Sequence, residues 1–86
     1  MDTQKFLGIC TDIVRKYTLE HLDKSDNVPK FDVFVVWNCK TLQNNKALLS
    51  TTLFDGMYYE ITYNGDKGEI YFDAYKKFEN RCISVD

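Results

Sequence analysis

The sequence predicts an α+β fold: an N-terminal helix packed on a four-stranded antiparallel sheet (a meander), followed by a short C-terminal helix or strand. Apolar residues recur at spacings of three and four from Phe6 to His21, which is the period of a helix. Four runs rich in Val, Ile, Thr and aromatic residues follow. Asp55-Gly56 and Asn64-Gly65-Asp66-Lys67-Gly68 are hairpin signals between the last three runs, and connections this short require antiparallel neighbours.

In the helix, Phe6, Cys10, Ile13, Tyr17 and His21 form the apolar stripe, widened by Ile9 and Val14. Asp2 or Thr3 caps its start. Gly8 costs roughly 1 kcal/mol relative to Ala inside a helix. The helix ends near Leu22 or Asp23, because the stretch from Asp23 to Pro29 is polar and turn-rich and Pro29 blocks continuation. Strands are expected from Phe31 to Lys40, Lys46 to Leu53, Met57 to Tyr63 and Glu69 to Phe72, with Leu42-Gln43-Asn44-Asn45 as the first loop. Asp73 then reads as the cap of a short helix from Ala74 to Asn80, with a continued strand through Ala74 as the alternative.

Strict alternation sorts the strand residues onto two faces. Phe31, Val33, Val35, Trp37, Cys39, Ala47, Leu49, Thr51, Leu53, Met57, Tyr59, Ile61, Tyr63, Ile70 and Phe72 fall on the face expected to meet the helix. Phe34, Val36, Leu48, Ser50, Thr52, Tyr58, Glu60, Thr62 and Tyr71 fall on the other. That outer face is too apolar for an ordinary solvated surface and needs a cover. The C-terminal segment, a second copy and another protein are the candidates.

A chain of 86 residues fits one domain, residues 1–86. Its six Phe, six Tyr and one Trp let a short chain build a core from few positions. The formal charge of −2 argues against a general nucleic-acid binder. No apolar run approaches the roughly 20 residues that span a bilayer. The start, Met1-Asp2-Thr3-Gln4-Lys5, lacks the pattern of a signal peptide, and three cysteines form an odd set. A cytoplasmic protein with free thiols is expected.

Each candidate for chemistry has a structural explanation. Cys10, Cys39, Cys82 and His21 could supply a zinc ligand set, but zinc ligands come in close pairs and these do not. Each cysteine falls on an apolar face, where a thiol behaves as a small hydrophobe. His21 sits where a histidine caps helix carbonyls, which competes with pairing to a thiol nucleophile. Asp55 and Asp66 belong to turns, and Asp55, Glu60, Asp66, Glu69 and Asp73 contain no evident acid–base pair. The Asn64–Glu69 stretch lacks the ligand alternation of a calcium loop, and no phosphate-binding glycine motif is present. No cofactor and no metal are expected.

The run Val36-Trp37-Asn38-Cys39-Lys40-Thr41-Leu42-Gln43-Asn44-Asn45-Lys46-Ala47-Leu48-Leu49-Ser50-Thr51-Thr52-Leu53-Phe54-Asp55-Gly56-Met57-Tyr58-Tyr59 resembles a family of small proteins from phages and prophages of Gram-positive bacteria. The resemblance continues through Tyr71-Phe72-Asp73-Ala74-Tyr75-Lys76-Lys77 and Glu79-Asn80-Arg81-Cys82 and spans nearly the whole chain. That family is a domain of unknown function, so the resemblance implies a setting, the cytoplasm of an infected bacterial host, and no catalytic residues. Small phage proteins of this kind often bind and inhibit host proteins, including defence nucleases such as CRISPR effectors.

The expected function is therefore non-enzymatic binding of a host or phage protein, with inhibition of antiviral defence as one form. Phe34, Val36, Tyr58 and Tyr71 are the expected contacts, and homodimerisation through the same face competes with them. The alternative is a nucleic-acid module using Lys76, Lys77 and Arg81, either docked like a double-stranded-RNA-binding domain or stacking single-stranded bases on the sheet.

Overall fold

A computed structural model describes residues 1–22 and 28–85. The turn expected over Asp23–Asn27 lies outside the described residues. The element order is α1 (Thr3–His21), β1 (Val33–Thr41), β2 (Asn44–Thr51), β3 (Met57–Asn64) and β4 (Glu69–Lys76). The strands form one antiparallel sheet in the order β1-β2-β3-β4, so the α+β meander is present as expected.

Asp2 is the N-cap of α1, its carboxylate accepting from the Lys5 amide at 2.8 Å. The buried stripe is Phe6, Cys10, Val14 and Thr18, four residues apart, flanked by half-buried Ile13 and Tyr17. A helix turns every 3.6 residues, so a stripe at spacing four slants across the axis. α1 crosses β1 and β2 and packs its stripe on Ala47, Leu49, Tyr59 and Ile61. Tyr17 extends the cover sideways, its ring centroid 5.6 Å from Tyr59 and 5.1 Å from Phe72 of β4. Such aromatic pairs add roughly 0.5–1.5 kcal/mol each beyond area burial.

Four expectations change. Trp37 and Cys39 do not face the helix. Val35 pairs with Leu49 and Trp37 with Leu48, leaving Val36 as an extra residue in a β-bulge. The bulge reverses the alternation, so Trp37 and Cys39 share the outer face with Leu48 and Lys46, while Asn38 and Lys40 turn to the helix side. Lys40 there donates its Nζ to the Met1 carbonyl at 2.6 Å. Cys39 is consequently exposed, Cys82 is exposed in the segment after β4, and Cys10 alone of the three thiols is buried.

The short helix over Ala74–Asn80 is absent. β4 runs on to Lys76 because its inward residues Ile70, Phe72 and Ala74 pair with Tyr63, Ile61 and Tyr59. The Lys77 amide adds one more bond, to the Gly56 carbonyl at 2.7 Å. The first hairpin loop is shorter than four residues, since Asn44 and Asn45 pair with Thr41 and Lys40 and only Leu42 and Gln43 turn. Finally, residues 78–85 leave the sheet as an arm without regular secondary structure and cover neither face. Phe78, Ile83 and Val85 are fully or largely exposed.

The two hairpin tips at one end of the sheet lock together. Gln43 Nε2 donates to Asp66 at 2.5 Å, and Asn44 Oδ1 accepts from the Gly65 amide at 3.0 Å. A Cβ at Gly65 would lie 2.1 Å from the Gln43 carbonyl oxygen, a backbone atom with no room to retreat. Gly65→Ala is therefore expected to lower unfolding free energy by roughly 1–3 kcal/mol, measured by urea titration.

Burial pushes the Cys10 thiol up to about 12 from its ordinary 9.0. Tyr59 is likewise raised above its ordinary 10.0, first by burial. In both cases the unfolded chain loses its proton at lower pH than the folded one. Their stabilisation is thus complete below the ordinary values and is lost as pH rises toward the folded ones. The urea midpoint should fall from near pH 9.0 upward, and in Cys10→Ala the fall should begin nearer 10.0, Tyr59's ordinary value.

Candidate functional site

Cross-strand register builds the outer face in rows. Phe34, Ser50, Tyr58 and Tyr75 form one, Trp37, Leu48, Glu60 and Asp73 the next, and Cys39, Lys46, Thr62 and Tyr71 the third. Phe34, Val36, Trp37, Tyr71 and Tyr75 are each between 43% and 52% exposed, an aromatic surface that no described residue covers. The molecule is only 18 Å thick along its shortest axis, the depth of one helix on one sheet.

The middle row carries an electrostatic conflict. Glu60 and Asp73 are direct partners across β3 and β4, and like charges in that position destabilise a sheet. Lys46 relieves Glu60 at 3.6 Å. Asp73 has no ion-pair partner among the described residues. Tyr71 donates its hydroxyl to Glu69, which holds that phenol above the usual tyrosine range by the hydrogen bond and then by its charge. The face thus carries an acidic pair in its middle row, toward the β4 edge and between Tyr71 and Tyr75.

Of the expected contacts, Phe34 and Tyr71 lie on this face and are exposed. Val36 is the bulge residue and is exposed as well. Tyr58 is half-buried, with Lys77 Nζ 5.6 Å from its ring centroid. Trp37, Tyr75, Glu60 and Asp73 belong with them and were not among the expected contacts. Alternation carried past Tyr71 would have found Asp73 and Tyr75, but Trp37 depends on the bulge, for which the sequence holds no local signal.

The residues expected for nucleic acid are not gathered. Lys76 and Lys77 point to opposite faces by strand alternation, and Arg81 pairs with Glu79 on the arm at 2.5 Å. Phosphate approaching the sheet would meet Glu60 and Asp73.

A concavity of about 200 Å³ lies between the end of α1 and the β2–β3 turn, lined by Tyr17, Thr18, His21, Asp55, Met57 and Tyr59. His21 stacks on Tyr17 with centroids 4.0 Å apart, and its Nδ1–H donates to the Tyr17 carbonyl at 2.8 Å. The Thr18 hydroxyl is buried in the floor of this concavity, beside Tyr59. No three His, Cys, Asp or Glu side chains among the described residues are arranged to hold a metal ion. Among the described residues, no helix is long and apolar enough to cross a membrane.

No curated protein and no solved structure matches the chain. A model of the DUF6275 family of unknown function matches residues 7–85, a span from the first turns of α1 to the end of the described arm, and the chain belongs to that family.

Proposed function

We propose that the chain is a non-enzymatic protein-binding module that works through the outer face of its sheet. One observation carries this reading: Phe34, Val36, Trp37, Tyr71 and Tyr75 stand exposed on one uncovered surface. Aromatic side chains supply much contact area at little rotamer cost and dominate interface energetics, and their concentration on one face marks an interaction site. The resemblance of Val36–Tyr59 and the segments after it to small phage and prophage proteins supports a partner from a bacterial host or the phage. Inhibition of host defence from within the host cytoplasm is one such role. The free thiols at Cys39 and Cys82 suit a reducing compartment.

The test is capture by the tagged full chain expressed in a Gram-positive host. Trp37→Ala/Tyr71→Ala should lose bound protein by roughly tenfold or more, as expected when two hot-spot aromatics are truncated. Asp12→Ala/Lys16→Ala, on the solvent side of α1, should retain it. Equal capture by both variants would overturn the reading. So would retention on heparin that declines steeply with salt and accounts for all binding, which would favour the nucleic-acid module.

A further inference from the structure

We infer that the outer face of the free protein is occupied by the C-terminal arm of a second copy, in a reciprocal, two-fold symmetric dimer. The inference rests on the reading of that face as a docking surface and names its first occupant. Arm and face are each incomplete in a complementary way. The arm offers Phe78, Ile83 and Val85, exposed by 94%, 75% and 88%, with Arg81 among them. The face offers exposed aromatics around Glu60 and Asp73. Arg81 seated between those carboxylates would relieve their cross-strand repulsion and give Asp73 a cation. It would give up only a solvent-exposed pairing with Glu79, the kind worth at most about 1 kcal/mol.

Reach permits this. The eight residues from Phe78 to Val85 extend over about 26 Å at 3.3 Å each, whereas four strands span about 14 Å between their outer axes. Lys77 continues the β4 pairing through its bond to Gly56, so the arm starts from the end of that strand. It does not lie on its own face: Phe78, Ile83 and Val85 stay exposed, and no backbone hydrogen bond beyond Lys77 ties it to the sheet among the described residues. Its apolar side chains and the aromatic face are thus both open to a second copy, and a two-fold axis lets each copy cover the other.

The test is sedimentation equilibrium of the full chain from micromolar concentration up to about 200 µM, a range that separates weak from stable dimers. Wild type should dimerise. Phe78→Ser/Ile83→Ser/Val85→Ser should be monomeric with an unchanged circular dichroism spectrum, since those side chains are exposed. Arg81→Glu and Asp73→Arg should each weaken the dimer by roughly tenfold or more, and the double variant Asp73→Arg/Arg81→Glu should recover it, as charge reversal across one contact requires. A monomeric wild type, a dimer indifferent to the arm, or a double variant no better than the singles would each overturn the arm exchange. Failure here is separable from failure of the docking reading: a monomeric wild type that still captures protein through Trp37 and Tyr71 overturns the exchange alone.

Discussion

The structure depends on a mismatch of area. One 19-residue helix is asked to cover four strands, and its buried stripe is four side chains long. Phe6, Cys10, Val14 and Thr18 pack over β1 and β2, and the buried apolar part of the sheet is confined to Ala47, Leu49, Tyr59 and Ile61. Everything beyond that patch is stabilised by other means. Tyr17 reaches sideways to Phe72, and the hairpin tips are tied through Gln43, Asn44 and Asp66. A domain this small has little apolar burial in reserve, so it keeps the opposite face unspent on its own core.

The placement of charge follows from the same economy. On an ordinary solvated face, Glu60 and Asp73 would sit among lysines. Here Lys46 alone approaches, and the acidic pair is ringed by Trp37, Leu48, Tyr71 and Tyr75. Aromatic surface supplies affinity without much selectivity, and a carboxylate pair beside it disfavours anionic and purely apolar contacts.

Much of the architecture was legible because local signals agreed with one another. The period of α1, the Asp2 cap, the Asp55-Gly56 turn and the Asn64–Gly68 turn all point the same way, and the helix and four strands formed close to where they were expected. Alternation worked on β2 and β3, which pair on both sides. It failed at β1 beyond Val35, since a bulge is fixed by how one strand seats against another and not by the residues in it. The C-terminal misreading had a different cause. Asp73 and the spacing of Ala74, Tyr75 and Phe78 suit a helix as well as a strand, and pairing with Tyr59 and Ile61 decides it. The outer face was legible as a place, through Phe34 and Tyr71, but its acidic pair was not, because the apposition of Glu60 with Asp73 is a product of register.

The single extra residue at Val36 ties together two parts of the molecule that share no contact. With it, odd-numbered positions after Val35 serve the exterior and even-numbered ones the interior. Removing Val36 would take out the bulge and leave every other pairing in place: Trp37 would stay opposite Leu48 on the exterior, and Lys40 opposite Asn45 on the helix side, within reach of the Met1 carbonyl. The residue that reverses the alternation is thus also the one the ladder can lose. In variants of this chain, a one-residue shortening of β1 should fall at Val36.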